Sequence, residues 1–186
     1  MSPLLLKLVD IVGKNHVLVG HSLEQRATSY WDSAPTIAMA LVRPSSTAEV
    51  SQILKICNQH KQPVVTQGGL TGCVEGAITT ARDIIISLER MKAIESIDEI
   101  GNTAIVQAGA VLQIVQETVR DKNLTFPLDL GARGSCTIGG NIATNAGGIN
   151  VLRYGMMRNL VLGLETVLAD GTVISSMNQM LKNNAG

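Results

Sequence analysis

Six glycines fall between Gly131 and Gly148, and this density limits what the chain can fold into. Glycine loses more backbone freedom on folding than any other residue, so such a stretch must recover that loss through turns, close approaches or a bound ligand. The segment reads DLGARGSCTIGGNIATNAGGINVLRYG, from Asp129 to Gly155. Ser135, Thr137, Asn141, Thr144 and Asn145 sit beside its glycines as neutral donors and acceptors, and no Lys, Asp or Glu lies between Ser135 and Gly148. That chemistry suits a neutral surface folded closely around a large polar ligand. It suits metal binding or hydrolysis badly. A purely structural role for the glycines is the alternative.

A second glycine loop lies upstream, in PVVTQGGLTGCVEGA from Pro63 to Ala77. A short strand leads into Gln67-Gly68-Gly69-Leu70-Thr71-Gly72. Paired glycines at positive φ turn several N–H groups into one concave nest, which suits a pyrophosphate, with Thr66, Gln67 and Thr71 able to add side-chain hydrogen bonds. A plain glycine turn between strands fits the same spacing. Neither the P-loop pattern nor a G-x-G-x-x-G after a strand occurs, so a bound dinucleotide would need a fold other than those two.

Formal net charge is zero and aromatics make up 2% of the chain, which argues against a nucleic-acid partner on both electrostatic and stacking grounds. The core must come from Ile, Leu, Val and Ala. The apolar run Thr36 to Val42 is too short for a membrane span. Met1 to Gly13 carries Lys7 and Asp10 and reads as a surface helix rather than a signal peptide. Cys57, Cys73 and Cys136 are odd in number and widely spaced, pointing to reduced thiols and a cytoplasmic setting. His16, His21 and His60 all precede the first glycine loop; His60 reads as a helix end and the other two as surface residues. No nucleophile elbow, His-Glu-His set or zinc spacing occurs, so no catalytic residue and no metal ligand are assigned. Cys73 and Cys136 are read as packing residues. Arg133, Arg153 and Arg158 are left between phosphate contacts and solvent.

Local signals order the rest. Ser2-Pro3 starts a helix that Gly13 ends. Ala38 to Val42 is a strand. Ser46 and Glu49 have capping-box spacing ahead of a helix running to about His60. Pro63 to Thr66, Asp83 to Leu88, Ile94 to Ile97 and Thr103 to Gln107 read as strands, with a turn at Gly101-Asn102. Val111 to Arg120 is an amphipathic helix. Leu160 to Ala169 and Thr172 to Ser175 form a hairpin about Asp170-Gly171, and Lys182 to Gly186 are turn residues. One strand–helix–strand unit followed by hairpins makes the fold class α+β.

Five segments taken together resemble a known family: VRPSSTAEVSQIL, PVVTQGGLTG, IIISLERM, FPLDLGARGSCTIGGNIATNAGG and the RYG…LVLGLETVLADGTVI run. They resemble the FAD-linked oxidases of the vanillyl-alcohol oxidase superfamily, over Leu41 to Gly186 and in the family's order. QGGLTG and PLDLGARGSC look most like the D-2-hydroxyglutarate dehydrogenases, with D-lactate and glycolate dehydrogenases close by.

The resemblance implies a PCMH-type FAD-binding domain of two α+β subdomains with the flavin between them. Residues 1–40 would form a helix and lead-in, and 41–186 an incomplete FAD domain, with the substrate domain outside this sequence. Thr66, Gln67, Gly68, Gly69, Leu70, Thr71 and Gly72 would hold the pyrophosphate. Pro127, Asp129, Leu130, Gly131, Gly134, Ser135, Ile138, Gly139, Gly140, Asn141, Thr144, Asn145, Gly147 and Gly148 would wrap the flavin and its ribityl chain. Relatives with covalent flavin often place a histidine after the paired glycines; Leu70 stands there, which implies non-covalent FAD. The implied activity is oxidation of a small D-2-hydroxy acid to the 2-oxo acid. The substrate would be bound by the other domain, the electron acceptor is unidentified, and a homodimer is compatible. A flavin module without chemistry, acting with a separate chain, is the other reading.

Overall fold

The computed structural model describes residues 2–177. The turn expected at Lys182 to Gly186 lies outside the described residues. The chain divides into two compact units, one built on Met1–Met91 and Val167–Val173, the other on Lys92–Thr166 with the chain from Ile174 on.

The first unit is a four-stranded sheet with helices. Helix α1 spans Pro3–Val12, with Ser2 as its N-cap and Gly13 leaving it at φ +86°. Strand β1 (Val17–Leu18) and the one-turn helix α2 (His21–Glu24) follow. Then come strand β2 (Ala40–Val42), helix α3 (Thr47–Gln59) and strands β3 (Val64–Gln67) and β4 (Ile84–Ser87). The sheet order is β1-β2-β4-β3, with β4 parallel to both β2 and β3. All four residues of β4 are buried, as expected of a central strand covered on both faces. Alternation sorts the side chains: Ala40, Val42, Ile84 and Ile86 pack with Leu4, Leu5 and Leu8 of α1 and Ile53 and Cys57 of α3, while Leu41 and Ile85 face Leu23. Burial alone pushes the Cys57 thiol up to about 11.

Helix α3 begins as the sequence suggests, with one difference. Ser46 Oγ accepts from Glu49 N at 3.2 Å, but Glu49 reaches back to Ser45 N at 2.7 Å rather than to Ser46.

The second unit holds hairpin β5 (Ile94–Asp98) and β6 (Thr103–Val106), turning at Asn102 with φ +51°. Helix α4 spans Leu112–Arg120 and buries Leu112, Val115 and Val119. They pack with Leu128, Cys136, Ile138 and Met157. Two short helices occupy the glycine-dense stretch, α5 (Ile138–Ala143) and α6 (Val151–Tyr154). The long strand expected from Leu160 is shorter: Met157–Leu160 is a 3-10 turn, and pairing is confined to β7 (Glu165–Val167) and β8 (Val173–Ser175).

Candidate cofactor-binding site

The first glycine loop occupies a position set by topology. Parallel neighbours β3 and β4 cannot be joined by a tight hairpin, so the chain must cross from the end of one to the start of the other. Residues 68–83 make that connection, leaving from the carboxyl end of β3, the edge at which open parallel sheets bind ligands. Gln67 is buried, and its Nε2 donates to Ala77 O at 2.9 Å, closing the base of the loop. That amide is therefore committed to the protein rather than offered to a ligand. Thr66 is exposed and Thr71 half-buried, and neither hydroxyl has a protein partner among the described residues. A Cβ built on Gly72 meets nothing within 4 Å.

The loop's left-handed residues are not the ones the sequence suggests. Gly68 and Gly69 lie outside that region, and Leu70 takes φ +56° and Glu75 φ +57°. A residue with a side chain there costs roughly 1–2 kcal/mol, and such strain persists only where the surroundings over-determine it.

A charged group gathers at the same carboxyl edge. Arg26 Nη2 donates to Glu89 Oε2 at 2.6 Å, Arg43 Nη1 to Glu89 Oε1 at 3.2 Å and Ser87 Oγ to Glu89 Oε2 at 3.1 Å. Burial works to raise the Glu89 carboxyl, but the hydrogen bonds and charge of Arg26, with Arg43 and Ser87, outweigh it and hold the group below its ordinary value. Arg43 Nη2 also donates to Asn15 O, and Arg90 Nη1 to Arg43 O at 2.7 Å. His16 is not the surface residue expected: it is half-buried, and its Nδ1 is enclosed with no hydrogen-bond partner among the described residues. Its pKa is lowered by burial first, then by Arg90 and Arg43.

In the second unit the expected site residues divide by what their glycines meet. A Cβ on Gly148 would lie 1.9 Å from Asp129 O, and one on Gly139 2.8 Å from Ala108 Cβ. These two serve packing: Gly139 N donates to Ala108 O at 2.7 Å, and Ile149 N to Asp129 O at 2.9 Å. Gly147 abuts Val151 at 3.3 Å, Gly134 abuts Gln113 and Gly140 abuts Thr137 Oγ1. Gly131, by contrast, is exposed, and a Cβ there meets nothing within 4 Å.

The polar residues divide similarly. Ser135 is exposed and Thr137 Oγ1 buried, and neither hydroxyl has a hydrogen-bond partner among the described residues. Asn141 is buried, with Nδ2 3.6 Å from Cys136 Sγ. Thr144 Oγ1 donates to Gly140 O, and Asn145 Oδ1 accepts from Arg158 N at 3.0 Å. Pro127 O accepts from Asn150 Nδ2 at 3.0 Å, and Leu130 and Ile138 belong to the unit's core. Arg133 is paired with Asp129 at 3.2 Å, and Arg153 lies over the Tyr154 ring. Cys136 is buried as expected and its thiol raised by burial, but Cys73 is exposed, not packed. Among the described residues no cluster of three His, Cys, Asp or Glu could hold a metal, and no helix is long and apolar enough to cross a membrane.

In the first unit the unclaimed hydroxyls of Thr66 and Thr71 beside open space at Gly72 suit a polar, hydrogen-bonding ligand. In the second unit the unclaimed hydroxyls of Ser135 and Thr137 and the open space at Gly131 do so separately. Solved structures share the fold. Alkyldihydroxyacetonephosphate synthase matches 95% of this chain and 34% of its own at a TM-score of 0.84 and 17% identity. p-Cresol methylhydroxylase matches 92% of this chain and 34% of its own at 0.70 and 22%. The FAD binding domain family matches residues 38–176, so the chain belongs to that family and its cofactor is FAD.

Among curated proteins, the chain is 47% identical over 146 residues to a mitochondrial D-2-hydroxyglutarate dehydrogenase of Bos taurus, 78% of this chain and 27% of that one. It is 38% identical over 178 residues to the Arabidopsis thaliana protein of the same name, 95% of this chain and 32% of that one. A putative mitochondrial D-lactate dehydrogenase of Schizosaccharomyces pombe is 43% identical over 145 residues, 78% and 28%. The chain thus spans about a quarter to a third of the length of these relatives. Their mitochondrial names do not fit the plain cytoplasmic setting read from the cysteines.

Proposed function

We propose that this chain is the flavin-holding part of an FAD-dependent dehydrogenase that oxidises D-2-hydroxyglutarate, or a D-2-hydroxy acid like it, to the 2-oxo acid. The observation that carries this is identity of 38–49% to D-2-hydroxyglutarate dehydrogenases across segments that include both glycine loops. Bound FAD supplies the two-electron acceptor for the carbinol carbon. This chain's residues hold the cofactor: the loop at 66–72 for the pyrophosphate, and the stretch at 127–148 for the flavin and ribityl chain. The domain assignment follows: 41–186 carries FAD, and substrate recognition and the base that removes the hydroxyl proton belong to another part of the enzyme. The Schizosaccharomyces relative's name makes D-lactate the second candidate.

Anaerobic titration of the FAD-loaded, complete protein with each enantiomer of 2-hydroxyglutarate and of lactate tests this. Bleaching of the flavin by the D but not the L acid is expected, with D-2-hydroxyglutarate effective at the lower concentration. Bleaching by neither D acid overturns the reading; a preference for D-lactate replaces it with the second.

A further inference from the structure

We propose that the turn from Thr28 to Ala34 is a clamp on the first glycine loop, holding Leu70 in its left-handed conformation so that the loop keeps the shape in which it receives the FAD pyrophosphate. This rests on the assignment of residues 66–72 as the pyrophosphate loop. Leu70, a branched aliphatic residue at φ +56°, needs an external restraint to stay there. One is present: Tyr30 N donates to Leu70 O at 3.0 Å, across forty positions of sequence.

The turn that presents this N–H is itself over-determined. Thr28 N donates to Ala34 O at 2.9 Å and Ser29 N to Asp32 O at 3.1 Å. Trp31 N and Asp32 N both donate to Ser29 Oγ, and Ala34 N to Asp32 Oδ1 at 2.9 Å. At its stem, buried Thr36 gives its N–H and its hydroxyl to Arg26 O, at 2.8 and 2.9 Å. The Arg26 side chain then ties the stem to Glu89, two residues past the carboxyl end of β4. The clamp and the loop it restrains are therefore anchored to the same sheet edge, the loop through β3 and Gln67 and the clamp through Glu89. A loop held in shape before the ligand arrives loses less freedom on binding, and that saving appears as affinity.

The test is FAD affinity of the complete protein, read by flavin fluorescence, in two backgrounds. Tyr30→Pro removes the N–H and should weaken FAD about tenfold; Tyr30→Ala removes the ring, keeps the N–H, and should weaken it less than threefold. In a Leu70→Gly background the left-handed residue needs no restraint, so adding Tyr30→Pro should there cost less than threefold. Arg26→Met, which frees the stem without touching the turn, should repeat the pattern and decides the matter if Tyr30→Pro does not fold. Equal losses in both backgrounds, or equal losses from Tyr30→Pro and Tyr30→Ala, overturn the clamp. Gly72→Val separates this from the loop assignment, because it fills open space that only the ligand would need. If Gly72→Val weakens FAD and Tyr30→Pro does not, the clamp alone is wrong; if Gly72→Val binds FAD normally, the loop assignment fails and the clamp with it.

Discussion

At the residue scale, the glycines of the dense segment do two different jobs, and substitution should separate them. Gly148 sits at φ +144° with Asp129 O occupying the place of a Cβ at 1.9 Å. A methyl there must displace backbone, which costs roughly 1–3 kcal/mol for overpacking, and left-handed geometry adds roughly 1–2 kcal/mol. Gly148→Ala should therefore lower Tm by about 5–15 °C at the usual scaling for a chain of this size. Gly131 has no left-handed φ and open space around its Cα, so Gly131→Ala should change stability by no more than about 1 kcal/mol, in either direction. Its effect should appear instead as weaker FAD binding. Thermal melts of the cofactor-free protein and FAD titrations, run on both variants, check the division; a Tm loss for Gly131→Ala equal to that for Gly148→Ala would remove it.

At the scale of elements, Glu89 links β4 to Arg26 and Arg43, and pH should expose that link. Its carboxyl is held below the ordinary value in the folded chain, so between the folded and unfolded pKa the unfolded state binds more protons. The stabilisation is complete above the unfolded value, about 4.3, and is lost as pH falls through the lower folded value. Glu89 and Arg26 are each about one-third exposed, which limits the gain to about 1 kcal/mol. Urea midpoints should show Glu89→Gln less stable than wild type at pH 7, with the gap closing toward pH 3; parallel curves would count against a depressed carboxyl. Elements with strong local signals were legible in the sequence: Ser2 and Ser46 as helix starts, the short apolar strand runs such as Ala38 to Val42 and Asp83 to Leu88, and the α4 face. Helix α5 was not, because Gly139 and Gly140 each cost about 1 kcal/mol in helix propensity, and the packing of Gly139 on Ala108 that compensates is non-local. The parallel pairing of β3 with β4, and with it the carboxyl-edge position of the loop, likewise depends on partners distant in sequence. Of the candidate site, both glycine segments stand out in the sequence by composition; the Tyr30 contact and the Leu70 conformation do not, since neither follows from residue type.

At the scale of the whole molecule, the remaining question is how FAD is retained, and non-covalent retention, implied by Leu70 after the paired glycines, is the expectation to test. Attachment to a flavin ring needs a nucleophilic side chain, in practice a histidine, cysteine or tyrosine. The first loop has aliphatic Leu70 after its paired glycines, and Gln67 is committed to Ala77. His60 is at the end of α3, with its Nε2 3.2 Å from Lys7 Nζ, and His16 faces Arg43 and Arg90. In the second segment Cys136 is buried and its thiol raised by burial, which disfavours the reactive thiolate. Cys73 is the exposed thiol among the described cysteines, and Tyr30 and Tyr154 are exposed phenols, so these three are the competitors. Denaturing the FAD-loaded complete protein with acid should therefore leave the pellet colourless and the flavin in the supernatant, and Cys73→Ala should change neither result. A yellow pellet from wild type that turns colourless in Cys73→Ala would identify a thioether at Cys73; a yellow pellet from both would place the bond on a residue outside this loop. Either result would withdraw non-covalent retention while leaving the FAD-binding fold itself intact.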